Sequence, residues 1–121
     1  MQKAALLIVD HGSTRREANE MLGDVAAIIK KMRPHLIVHF AHMELAKPTI
    51  AQGLEQCVKD GATEIIIHPY MLSPGRHAMK DIPRMVAECA IQYPDLKFRV
   101  TEPLGLDDKI GEVVLCRAGI Q

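Results

Sequence analysis

The chain has 121 residues and a mass of 13.4 kDa, which is one domain, residues 1–121, by length. Hydrophobic residues at 48% and charged residues at 25% give a soluble globular balance and exclude disordered and fibrous classes. Fifteen Lys and Arg balance fifteen Asp and Glu, so no global field draws the chain to nucleic acid or an anionic membrane, and aromatic residues at 3% are too few for base-stacking platforms.

No apolar run is long enough to span a bilayer. The short run after Met1-Gln2-Lys3 has no small-residue cleavage site, so no signal peptide is expected and the cytoplasm is the expected compartment. Cys57, Cys89 and Cys116 form no CxxC pair and sit among apolar residues, which reads as buried thiols in a reducing environment.

The elements alternate. Ala4 to Val9 is a continuous apolar run, as a strand covered on both faces requires. Asp10-His11-Gly12-Ser13 breaks it. Ala18, Met21, Leu22, Val25, Ile29 and Met32 then recur with helical spacing, with Thr14 and Glu17 at capping-box spacing. Leu36 to Ala41 reads as the second strand. Thr49 and Gln52 are placed to cap the next helix, whose apolar face is Ile50, Leu54, Cys57 and Val58, and Gly61 suits the left-handed turn that follows.

Glu64 to His68 is a third strand, rich in β-branched residues. Pro69 to Lys80 reads as a loop, with Asp81 as N-cap and Pro83 early in a helix whose face is Ile82, Met85, Val86, Cys89 and Tyr93. Lys97 to Thr101 alternates as an edge strand does, and a short helix carries Leu106, Ile110, Val113 and Val114. Four βα units predict an α/β fold with a doubly wound, four-stranded parallel sheet flanked by helices. The two most apolar strands belong in the middle, which gives the order 2-1-3-4 and a switch point between strands one and three.

Ligands bind such sheets outside the carboxyl ends of the strands. That edge gathers His11, Glu44 and His77, with His42 and His68 as neighbours. Two imidazoles and a carboxylate suit a borderline divalent metal. Arg15, Arg16, Lys47, Arg76 and Lys80 make the same edge basic, which favours a carboxylate- or phosphate-bearing ligand, and Gly12-Ser13 before a helix start offers backbone N–H groups. Each residue also has a plainer reading. His11 at a strand end can be structural, Glu44 can be solvated or counter Lys47, and Arg76 and His77 can be exposed loop residues. His68 reads as a satisfied core histidine, and His35 and His39 lie away from the edge.

Three segments together resemble the small CbiX-type sirohydrochlorin chelatases, a class II tetrapyrrole chelatase family. They are Asp10-His11-Gly12-Ser13, the stretch Ala41 to Ile50 (AHMELAKPTI), and Leu72 to Pro83 (LSPGRHAMKDIP). The resemblance runs through Leu106. It implies insertion of a divalent metal (cobalt, iron or nickel) into sirohydrochlorin, on a route to sirohaem or cobalamin. It implies His11 and His77 as metal ligands and as catalytic residues together with Glu44, which handles metal or takes protons. Larger relatives carry two such lobes, and the short forms pair as homodimers. No tightly bound cofactor is expected, because the metal is a substrate. Some plant relatives add a cysteine-rich iron–sulfur segment; this chain shows none after Cys116, so no cluster is expected. Family members often have a basic residue directly after HGS, where Thr14 here precedes Arg15.

On that reading Arg15, Arg76 and Lys80 clamp the carboxylates at the substrate's rim and Ser13 adds a hydrogen bond. Two other classes compete. A tetrapyrrole or metal carrier would need the same residues and differs only in lacking turnover. A phosphoryl-transfer enzyme with His11 as nucleophile would surround it with more arginines, and Asp10 is a poor neighbour for phosphate.

Overall fold

The continuous apolar runs become the sheet. In the computed structural model, which describes residues 2–73 and 75–121, the strands are β1 (Ala4–Asp10), β2 (Ile37–His42), β3 (Glu64–Pro69) and β4 (Lys97–Val100). All pairs are parallel and the order is β2-β1-β3-β4, as the apolarity of the strands predicts. The central pair is the most buried: Ala5, Leu7 and Val9 on β1 and Ile65 and Ile67 on β3 are wholly inaccessible. β4 shows the exposed–half-buried alternation of an edge.

The helices are α1 (Arg16–Met32), α2 (Ile50–Lys59), α3 (Gly75–Ala90) and α4 (Asp108–Ala118). One face of the sheet packs on α1 through Leu22 and Ala26, against Ile8 with Val38 and Phe40 beside it. The other packs on α2 and α3 through Leu54, Cys57, Ile82 and Val86. This two-sided cover is why β1 reads as an unbroken apolar run. The face of α1 is narrower than the sequence pattern predicts, since Met21 and Met32 are exposed.

Local chemistry sets the helix ends. Thr49 caps α2 in a complete capping box: its side chain accepts from the Gln52 amide, and the Gln52 side chain accepts from the Thr49 amide. Gly61 takes the left-handed φ of +94° after that helix. At α1 the expected Thr14–Glu17 box does not form. Arg15 occupies the N-cap position without a side-chain cap. Asn19 reaches back instead, accepting from the Ser13 amide at 3.0 Å and donating to the Ser13 carbonyl at 2.7 Å.

The loop after β3 is shorter than expected. α3 begins at Gly75, so Asp81 is not its N-cap and Pro83 lies well inside the helix. The missing N–H of Pro83 costs a hydrogen bond to Met79. Both residues are exposed, so water can satisfy that carbonyl, while Ala78, Ile82 and Val86 bury the opposite face.

The cysteines divide. Cys57 is buried, and desolvation pushes its thiol up to about 12. Cys89 is half-buried, and Cys116 is exposed, not buried as its apolar neighbours suggested. His39 bonds Asp60 at 2.6 Å, tying β2 to the end of α2 and holding the Asp60 carboxyl below the usual range. No helix among the described residues is long and apolar enough to cross a membrane.

α4 stands apart. Asp107 caps it and Gly119 closes it in the left-handed region, yet none of its residues is buried, and Val113, Val114 and Leu115 are exposed. The stability of the fold therefore rests on the sheet and the first three helices. Leu54→Ala, at a fully buried position, is expected to lower the unfolding free energy by about 2–5 kcal/mol, read from urea denaturation.

Candidate functional site

The site is built where β1 and β2 end. The backbone ladder between them does not stop with the strands. The Met43 amide donates to the Asp10 carbonyl at 2.8 Å, and the Glu44 amide to the His11 carbonyl at 3.1 Å. On the other edge of β1, the Tyr70 amide donates to the Val9 carbonyl at 2.6 Å. The chain segments that leave β1 and β2 thus run side by side, and His11 and Glu44 sit next to each other on a shared ladder.

Gly12 makes this approach feasible. Its φ is +89°, and a Cβ built on it would lie 1.8 Å from the Glu44 carbonyl oxygen. No side chain fits there. Leu45, next to Glu44, takes a φ of +71°, an uncommon backbone for a leucine. The segment after β2 is thus bent sharply just past the carboxylate.

Beneath the turn lies a pair that the sequence reading did not assign. Asp10 Oδ1 accepts from the Gly12 amide at 3.0 Å and bonds His42 Nδ1 at 2.6 Å. His42 is 1% exposed, and its Nε2 has no hydrogen-bond partner among the described residues. Burying an unpaired polar nitrogen costs about 1–3 kcal/mol. The Phe40 ring meets the His42 ring edge to face at 5.9 Å. Asp10 and His42 are partners in the β1–β2 register, which puts both side chains on the α1 face of the sheet. The identity of Asp10 was visible in the sequence; its partner was not, because the register was not.

The remaining expected residues are spread along the same edge. His11 and Glu44 are exposed, and Ser13 is half-buried with its hydroxyl accepting from the Arg15 amide at 3.0 Å. Arg76 and His77 belong to the first turn of α3 and Lys80 to its second. Arg76 and Lys80 are exposed, whereas the side chain of His77, like Pro74, lies outside the described residues. Arg16 is neutralised by Glu20 at 2.7 Å. Among the described residues Arg15, Lys47, Arg76 and Lys80 form no salt bridge, which leaves four cations on this edge for an anionic ligand.

His68 is not part of the cluster. Its Nδ1 bonds the Thr101 hydroxyl at 2.9 Å, and burial holds its pKa below the ordinary histidine value. That is the satisfied core histidine the sequence suggested. No group of three or more His, Cys, Asp or Glu side chains among the described residues is arranged to hold a metal. Hollows flank the strand ends, a small one against Pro69 and Thr101 and two larger ones. One, of about 840 Å³, lies between Leu72, Leu106, Ile110 and Leu115. The other, of about 360 Å³, lies between Ser13, Arg16, His42 and Lys47.

The CbiX family profile matches residues 5–119. The chain belongs to the CbiX family. It is 40% identical over 109 residues to a protein of Arabidopsis thaliana named as a chloroplastic sirohydrochlorin ferrochelatase, covering 90% of this chain and 48% of that one. It is 31% identical to a sirohydrochlorin cobaltochelatase of Methanococcus aeolicus, covering 94% of this chain and 96% of the relative. Among solved structures, the sirohydrochlorin chelatase of Bacillus subtilis subspecies spizizenii in complex with cobalt superposes with a TM-score of 0.87 at 33% identity, over 98% of this chain and 50% of that one. The chain thus spans about half the length of the Arabidopsis and Bacillus proteins and nearly all of the Methanococcus one.

Within this CbiX fold the tightest constraint is Gly12. Gly12→Ala is expected to cost more than the roughly 1–2 kcal/mol of a left-handed backbone alone, because the Glu44 segment must also move. A fall in the urea midpoint with an unchanged m-value checks this.

Proposed function

We propose that this chain, acting as one α/β domain, inserts a divalent metal (cobalt, iron or nickel) into sirohydrochlorin, as a sirohydrochlorin metal chelatase. The observation that carries the reading is the Glu44 amide bond to the His11 carbonyl, which sets an imidazole-bearing and a carboxylate-bearing segment side by side in a CbiX family member. The names of the iron- and cobalt-inserting relatives support it.

The reaction makes three demands. The metal must be held by few protein ligands so that it can be handed on. A flat polyanion must be bound. Two pyrrole N–H protons must be accepted as the metal–nitrogen bonds form. His11 and His77 are the proposed metal ligands, each offering a neutral imidazole. Two protein ligands leave coordination positions for water and then for pyrrole nitrogens. Glu44 takes the departing protons and passes them to solvent, to which it is exposed.

Arg15, Arg76 and Lys80 hold the substrate's peripheral carboxylates, and Ser13 contributes a hydrogen bond. The flat faces of the macrocycle need apolar contact. Leu45 after β2, Leu72 after β3 and Leu106 after β4 are exposed on the same edge and supply it. The metal is substrate and product component, not a resident cofactor. The three free cysteines fit a reducing compartment, and we assign the chain to the cytoplasm.

A carrier without turnover would use the same contacts. The two are separated by following sirohydrochlorin absorbance, without oxygen, with catalytic protein and Co²⁺, Fe²⁺ or Ni²⁺. Conversion well beyond one equivalent is expected. His11→Ala should abolish it, and Glu44→Gln should slow it by about 10²–10⁴-fold, with far-ultraviolet circular dichroism unchanged. A spectral change that stops at one equivalent would establish the carrier.

The exposed apolar residues of α4 support a second copy as partner, giving a homodimer. Sedimentation at micromolar concentration should show the dimer, and Val113→Asp should shift it to monomer. A monomeric wild-type chain would overturn this part of the reading.

A further inference from the structure

The hydrogen bonds of His42 do not match those of an ordinary core residue. The ring is 1% exposed, yet Nε2 bonds nothing among the described residues. A phenylalanine would fill the same space against Phe40 without an unpaired nitrogen. What histidine adds is the bond at Nδ1. Asp10 Oδ1 already accepts from the Gly12 amide at 3.0 Å. That oxygen is an acceptor, so Nδ1 carries the hydrogen and donates across 2.6 Å.

The bond has a direction of action. Asp10 holds the Gly12 amide, and Gly12 is the residue whose missing side chain lets the Glu44 backbone approach. His42 is itself pinned from behind, since its amide donates to the Pro48 carbonyl at 2.8 Å. A fixed imidazole thus anchors a carboxylate, and the carboxylate anchors the turn that presents His11. This is the kind of partner that orients residues around a metal without touching it.

We infer that His42 and Asp10 are positioning residues: their Nδ1–H···Oδ1 bond locks the His11–Gly12 turn against the Glu44 segment and so sets the spacing of imidazole and carboxylate for the metal. The inference rests on the reading of His11 as a metal ligand and extends it to two residues that the reaction scheme does not use. His42 acts through Nδ1, and its Nε2 is a bystander.

Side-chain geometry supplies the test. The amide of asparagine places a donor near the Nδ1 position, and that of glutamine places one near Nε2. His42→Phe, His42→Asn and His42→Gln are compared with wild type in two measurements on the full chain. One is amide hydrogen exchange at Gly12 and Glu44 by NMR, with Ile67 as the core control. The other is Co²⁺ affinity from visible absorption.

His42→Phe should lose the protection at Gly12 and Glu44 while Ile67 stays protected, and should weaken Co²⁺ binding by about 10–100-fold. His42→Asn should recover both, and His42→Gln neither. Wild-type exchange and affinity in His42→Phe would overturn the inference. So would rescue by Gln and not by Asn, which would make Nε2 the working atom. If the wild-type chain binds Co²⁺ but does not insert it, the chelatase reading fails and the positioning role is still judged by both measurements. If it binds no Co²⁺, His11 is no metal ligand and the inference falls with it, whatever the exchange shows about the turn.

Discussion

The approach of two backbones at Gly12 is the constraint on which the rest of the site depends. A side-chain carbon there would stand 1.8 Å from the Glu44 carbonyl oxygen, so the segments leaving β1 and β2 can be neighbours only with glycine at this position. Because they are neighbours, the parallel ladder runs on through Met43 and Glu44. The residues just past two strand ends, ordinarily loop, inherit the rigidity of the sheet. A doubly wound sheet places its ligand site at such strand ends for topological reasons. Here the ladder also fixes the spacing within the site.

That rigidity is spent on backbone, not on side chains. His11 and Glu44 are exposed, while the Asp10–His42 pair behind them is half-buried to buried. The division suits the metal transfer proposed for this chain. A ligand set that enclosed its ion on all sides would hold it too well to release it to a macrocycle. Exposed side chains on a stiff backbone give a defined position with open coordination sites.

The large features were legible for one reason: they follow from hydrophobic pattern, which is local. Unbroken apolar runs identified β1 and β3 as central, and the alternation in Lys97 to Thr101 identified an edge. Thr49 and Gln52 carry a capping signal within four residues of each other, and the box forms. The misreadings share the opposite property. Thr14 and Glu17 have the same spacing, but Asn19 satisfies the Ser13 backbone first. Pro83 reads as a helix start, yet α3 starts at Gly75 because burial of Ala78 and Ile82 on one side outweighs a lost bond on the wet side. Cys116 looked buried by its neighbours, but α4 has nothing described to pack against.

Asp10 and His42 mark the limit of such reading. They are 32 residues apart, and only the register of β1 on β2 makes them partners. A shift of one residue would turn His42 to the other face of the sheet, away from Asp10. The register is set by the hydrophobic faces of the two strands: Ile8 and Phe40 toward α1, Val9 and Ala41 toward α2. The polar pair at the end of the strands is therefore positioned by the packing of the apolar residues before it. A core substitution that let β2 slip would damage the site without altering a single residue in it.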